Sequence, residues 1–436
     1  MSSVFPRISA LSALALAATA CTDPLTRPTG VESPLLSTGA ASRHFGDFAP
    51  IAGSAACVAP PSLPSDFATY EPFVLPAGHT QRIVSQEIAD WRPLAGTGGD
   101  LPDMMTLNET GPNAGRYLYR THEVGSNGAV TVTDLQTGQT KLVDQQQHYE
   151  ALDGIVWSPN QTLLFAEERI VASFRDPRVP NAVGGLVYEY NPRTGVTQPL
   201  PAVGARSHEG LRFDAQGNLY GVSESTPGVN GSGAIYKFVP DRRGDYTRGQ
   251  LYALKVLDAA TREGDAVWVK LSRDAVRVNS DAEAIAKGAT GWGRPEDIEI
   301  STNVGNTRGG QVMYVTSTSE RLVLRIELDG DRAVVSNFVK EGINVTGLDN
   351  PDNLALDNQG NLFILEDNGP GDIWVVRAGN PKARVAAKVD LFASLADCSA
   401  EPTGLYFDRN SQRGWVHVQH AGGALGNDLL VEITRR

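Results

Sequence analysis

The chain has 436 residues, 41% hydrophobic and 20% charged, an ordinary globular balance with room for one large domain or two smaller ones. A formal net charge of -12, with no Lys/Arg-rich run to offset it, excludes a polyanion such as nucleic acid as the main partner. No Gly-x-Ser-x-Gly elbow, Walker loop or Gly-x-Gly-x-x-Gly turn after a strand occurs, which disfavours serine-hydrolase, P-loop and dinucleotide chemistry.

The N-terminus reads as a targeting segment. Arg7 precedes an apolar run, Ile8 to Ala17, too short to span a bilayer, and Ala18-Thr19-Ala20 precede Cys21. Residues 1–20 are therefore expected to be a signal peptide, and the protein exported: to the periplasm, to the outer membrane as an anchored lipoprotein, or into the medium. Ala-Thr-Ala-Cys is similar to a lipobox that would lipidate Cys21, yet Ala18 stands where leucine is usual and an ordinary signal-peptidase site fits as well. Residues 21–66, rich in Pro, Ser, Thr and Ala, read as a tether or wrapping arm, and residues 67–436 as the folded domain. In an exported chain, Cys57 and Cys398 are expected to form a disulfide pinning the arm to the last blade.

From there a hairpin pattern recurs, with apolar alternation around a Gly/Asn-rich turn and an acid at the open end. The first unit closes at His122 and Glu123, with Arg120 nearby. The second opens at Asp153 and closes at Glu168, and the third opens at His208-Glu209, two residues past Arg206, and closes at Glu224. After an insertion, Asp241 to Gly293, the fourth opens with Arg294-Pro295-Glu296. Within that insertion Ser280 and Glu283 read as a capping box and Gly288 as a helix stop; its placement, at the pocket rim or as an outer-strand extension, stays open. The fifth runs from Asp352-Asn353 to Asp367, and the sixth from near Thr403 to Gln419-His420. In three units the opening and closing acids are 15 residues apart.

Six such units predict an all-β, six-bladed β-propeller. A hairpin returns the chain to its starting rim, so the acids of successive blades would meet in one central pocket. A single acid at a strand end commonly bonds a neighbouring turn. Acids at equivalent positions of successive blades instead point to a cluster of hard oxygen ligands for cations, formed by Glu123, Asp153, Glu168, Glu209, Glu224, Glu296, Asp352 and Asp367. Arg294, Arg206 and His208 are the expected catalytic groups, and Arg120, Asn353, Gln419 and His420 the expected substrate contacts.

The ordered motifs "DGIVWSPNQTLLFAEE", "SHEGLRFDAQGNLYGVSE", "RPEDIEI", "NPDNLALDNQGNLFILED" and "EPTGLYFDRNSQRGWVHVQHAG" resemble the PhoX-type alkaline phosphatase family of secreted bacterial proteins, over roughly residues 85 to 435. The resemblance implies a six-bladed propeller whose pocket holds Ca2+ and Fe3+ and hydrolyses phosphomonoesters, with Glu209, Glu296 and the acids around Asp352 and Asp367 as ligands and Arg294 as a phosphate contact. One departure accompanies it: Asp153 stands where phosphatases of this kind carry an iron-ligating cysteine, which shifts preference toward calcium. The expectation is a monomeric metal-dependent phosphatase acting on a small phosphate ester, touching membrane only through a lipid anchor. The alternatives are a non-catalytic calcium-binding propeller and a calcium-dependent lactonase.

Overall fold

The computed structural model describes residues 44–59, 62–64, 67–169, 175–301, 310–380, 382–423 and 427–435. The expected signal peptide and Cys21 lie outside the described residues.

Six short strands form the inner ring: β1 (Pro102–Leu107), β2 (Leu152–Trp157), β3 (His208–Phe213), β4 (Pro295–Ser301), β5 (Pro351–Leu356) and β6 (Glu401–Phe407). Each lies next to its successor, and β6 lies next to β1, so the ring closes. Every inner strand begins an antiparallel meander that runs outward, as in β5 with Leu362–Glu366, Asp372–Val376 and Asp390–Leu395. In the sheet of β6 the outermost strand is His79–Gln86, paired with the C-terminal Leu429–Arg435. The two ends of the domain are thus sewn into one sheet, which removes the free edge an open ring would leave.

The arrangement is all-β and propeller-like, but the hydrogen-bonded sheets among the described residues number five rather than six. The insertion is the reason. Its strands Gly249–Val256 and Gly264–Lys270 extend the meander of β3 outward until Gly264–Lys270 pairs with Arg332–Lys340, the outer strand of the β4 meander. A nine-stranded sheet results, with β3 at one end and β4 at the other. The insertion also supplies the helix Val276–Ala286, kinked at Asn279. Asn279 rather than Ser280 caps its main turn, accepting from the Ala282 N–H at 2.9 Å, while Ser280 Oγ donates to the Ala205 carbonyl at 3.0 Å. Gly288 ends it with φ +67°.

The described part of the arm is woven into the sheet of β5. Phe45 is fully buried among Phe363, Phe392 and Phe407, with ring centroids 4.9 to 5.9 Å away. The Ile51 N–H donates to Leu391, Val58 bridges to Asp397, and Cys57 is joined to Cys398 with Cα atoms 5.2 Å apart.

Candidate metal and phosphate site

A register shift falls just inside the start of all six inner strands: at Pro102/Met105, Leu152/Ile155, His208/Leu211, Pro295/Ile298, Pro351/Leu354 and Thr403/Tyr406. Such a bulge inserts one unpaired residue and re-aims its side chain out of strict alternation. Five of these segments carry an acid, namely Asp103, Asp153, Glu209, Glu296 and Asp352, all buried or nearly so. The sixth carries Thr403, whose hydroxyl reaches Asp103 and the Asn353 Oδ1.

The next residue spaces the ring. A Cβ on Gly154 would strike the Glu209 carbonyl, and one on Gly404 the Asp103 carbonyl. At two positions without glycine a side chain bridges instead: Asp297 Oδ2 accepts the Leu354 N–H at 3.0 Å, and Asn353 Oδ1 accepts the Gly404 N–H at 2.6 Å. Neighbouring inner strands are therefore locked together at the level of the acids.

A second tier stands beside the first. Just past the second strand of each hairpin, the N–H groups of Glu123, Glu168, Glu224 and Asp367 donate to the carbonyls of Leu101, Ala151, Ser207 and Asn350, at 2.7 to 3.2 Å. Each of these acceptors immediately precedes an inner strand. Leu101, Ala151 and Asn350 hold φ between +41° and +47°, an uncommon conformation for such residues, here repeated at equivalent blade positions.

The two tiers interact as one cluster. Burial, followed by the neighbouring acids, pushes the carboxyls of Glu123, Asp153, Glu168, Glu209, Glu296 and Asp352 well above the usual range. Asp103 is pushed up to about 6 and Glu401 to about 10, again chiefly by burial. So many acids cannot all ionise together unless a cation compensates them. Oxygens of Glu168, Glu209 and Glu224 lie within 4.8 Å of one another, and the buried Oδ1 of Asp153 has no hydrogen-bond partner. These are features that oxygen-liganded cations fit.

Among the expected cationic groups, Arg294 reaches the cluster. Its Nε donates to Glu224 at 2.6 Å, its Nη2 lies 3.0 Å from Glu296, and its side chain is 42% exposed at the rim. Burial opposes its charge, yet Glu296, Glu224 and Asp352 outweigh that and raise its pKa.

Other expected contacts are placed differently. Arg206 donates to the Val222 and Val203 carbonyls and lies over the Tyr236 ring at 4.1 Å; it supports the wall instead of facing the acids. Arg120 donates to Thr131 and Thr133 and stacks on Trp91. His208 is fully buried, bonds the Gly204 carbonyl and is held neutral by burial and by Arg206. All three side chains are therefore spent on contacts within the wall. Gln419 donates to the Pro102 carbonyl, joining the last sheet to the first, and Asn353 is spent on the Thr403–Gly404 turn. His420 is the one of this group left on the rim, 3.8 Å from Glu401.

Asp103 and Glu401 belong to the cluster but were not among the sequence candidates. The signal for Asp103 was present: Pro102-Asp103 repeats Pro351-Asp352 and Pro295-Glu296. A separate trio, Glu87, Asp100 and Asp428, also gathers oxygens. There Arg92 meets Glu87 and Asp100, and the Leu101 and His420 N–H groups bond Asp428.

Fold and site together define an all-β, propeller-like protein with an axial carboxylate cluster. Within that class, residues 179–333, which include Glu209, Glu224, Arg294 and Glu296, match the family model for alkaline phosphatase PhoX, the family the motifs resemble. Among solved structures the chain is similar to Pseudomonas fluorescens PhoX in complex with vanadate, a transition state analogue. The TM-score is 0.58 at 15% identity, covering 86% of this chain and 98% of that one. It also matches a streptogramin B lyase at TM-score 0.44 and 12% identity, covering 82% of this chain and 98% of that one. A PQQ-bound aldose sugar dehydrogenase from Streptomyces coelicolor matches at 0.46 and 11%, covering 83% and 100%. No curated protein matches by sequence.

Proposed function

We propose that the protein is an exported, metal-dependent phosphatase that hydrolyses small phosphomonoesters at the carboxylate end of its axis. The observation that carries this reading is the position of Arg294, which sits half exposed at the edge of a buried acid cluster and bridges Glu224 and Glu296. The match to the phosphatase family, and the vanadate bound in the similar Pseudomonas protein, support phosphoryl chemistry. We read the nine-stranded sheet as two blades joined along their outer strands, which makes six blades around the axis.

In this reading Asp153, Glu209, Glu296 and Asp352 hold cations from the inner strands, and Glu123, Glu168, Glu224 and Asp367 complete the set from the second tier. All-oxygen donors suit Ca2+, and with Asp153 in place of a thiolate Fe3+ is the less favoured partner. Bound cations would supply Lewis-acid polarisation and a more acidic bound water. Arg294 presents a planar fork that can trade a carboxylate for two phosphate oxygens, steadying the charge that develops there. His420 stands at the rim for the ester's leaving group. We place the protein outside the cytoplasm as a monomer, held to membrane only if Cys21 is lipidated.

The test is hydrolysis of a chromogenic phosphate ester by protein stripped with chelator and reloaded with calcium, or with calcium and iron. Calcium uptake with no turnover from neutral to alkaline pH would sink the phosphatase reading and leave a calcium-binding propeller; turnover on a lactone alone would favour the lactonase.

A further inference from the structure

The inner strands carry eight carboxylates, Asp103, Asp153, Glu209, Glu296, Asp297, Glu299, Asp352 and Glu401, and one guanidinium, Arg212. That single cation is not at the acid end. Arg212 lies three residues beyond Glu209 along β3, about 10 Å at an ordinary strand rise. Its side chain is 11% exposed, its Nη2 donates to Glu299 at 2.9 Å, and its Nη1 donates to the Leu211 carbonyl at 2.9 Å.

Around it, at the far ends of the inner strands, is a cavity of about 350 Å³ lined by Glu109, Trp157, Phe213, Glu299 and Tyr406 as well as Arg212 itself. The charge of Arg212 acts on Glu109, Glu299 and Asp297 together. Asp297, inside the bulge of β4, bonds the Leu354 N–H of β5, and Glu299 lies two residues farther along the strand. The acids thus continue down the axis past the upper cluster, and the guanidinium occupies the point where they converge.

We propose that Arg212 is a built-in counter-cation that fills, with its own charge, a position an inorganic cation would otherwise take, and so confines metal binding to the Arg294 end of the axis. The inference rests on the cation-binding reading of the upper cluster but concerns different residues. A guanidinium within hydrogen-bond distance of Glu299 both neutralises it and repels an approaching divalent ion, an effect of about tenfold or more on occupancy even in a water-like dielectric. Without that charge, Glu299, Glu109 and Asp297 would offer the hard oxygen donors that calcium takes.

The test counts calcium per chain, by elemental analysis and native mass spectrometry, on the full folded chain and three variants. Arg212→Met should carry one more calcium than the parent. Arg212→Lys, which keeps the charge, should match the parent count, as should the double variant Arg212→Met with Glu299→Gln, which removes the acid as well. Equal counts in the parent and Arg212→Met overturn the proposal. So does an Arg212→Met chain that stays unfolded with and without calcium, since Arg212 would then be structural alone; folding only in calcium supports it. A parent chain with no calcium sinks the upper-site reading, while one calcium in Arg212→Met would still support this one.

Discussion

Arg294 Nε lies 2.6 Å from Glu224 Oε1, a pairing across two blades made by residues 70 positions apart. The same guanidinium reaches Glu296, and the φ of +49° at Arg294 sets that direction. Lysine keeps the charge but not the planar fork. Arg294→Lys is expected to retain bound metal, measured by elemental analysis, and to lose about tenfold or more in kcat/KM on a phosphate ester. Unchanged kinetics would remove Arg294 from the phosphate contact.

Glu209→Gln and Glu296→Gln keep side-chain shape but remove a charge and a good ligand. Both should weaken calcium binding and abolish turnover. In the parent, chelator should lower the melting temperature and calcium restore it, because a ligand that binds only the native state stabilises by mass action. A melting temperature indifferent to chelator and calcium would contradict the ligand assignment.

In metal-free protein the pH dependence has a definite sign. The cluster acids have native pKa values raised above their unfolded ones, to about 6 for Asp103 and about 10 for Glu401. Their protonated forms are favoured in the native state, so the unfolded chain binds fewer protons at intermediate pH and stability falls as pH rises. Thermal melts of chelated protein should decline from about pH 4 upward through these values, and saturating calcium should flatten the decline. A stability that rises over that range without metal would contradict the burial of the acids.

Gly154→Ala places a Cβ against the Glu209 carbonyl and pushes apart two strands that carry ligands. A cost of about 1–3 kcal/mol is expected, together with weaker calcium binding. The exposed Gly53, which like Gly154 has no positive φ but where a Cβ meets nothing within 4 Å, is the control for the Gly-to-Ala change alone.

Serine at Cys57 and Cys398 releases a crosslink that spans 341 residues and should cost about 2–4 kcal/mol. Limited proteolysis before Phe73 should then quicken, because the arm is left with noncovalent anchors alone, among them Phe45, Phe48 under Arg377 and the Ser54–Asp372 hydrogen bond.

The repeat was legible in the sequence because each hairpin carries its own local instructions. In the Asp214 and Asp357 turns the carboxylate oxygen accepts the N–H groups two and four residues on, and such bonds need no distant partner. The acids could therefore be aligned, and Asp153, Glu209, Glu296 and Asp352 do meet. What alignment could not supply was direction. Only the tertiary structure decided that Glu209 joins the acid cluster while His208 and Arg206 are spent on the wall, because those partners, the Gly204 and Val222 carbonyls, are fixed by how β3 packs on its neighbours. The nine-stranded sheet was hidden for a related reason: the pairing of Gly264–Lys270 with Arg332–Lys340 joins segments more than 60 residues apart, and neither reads differently from an ordinary outer strand until the two are brought together.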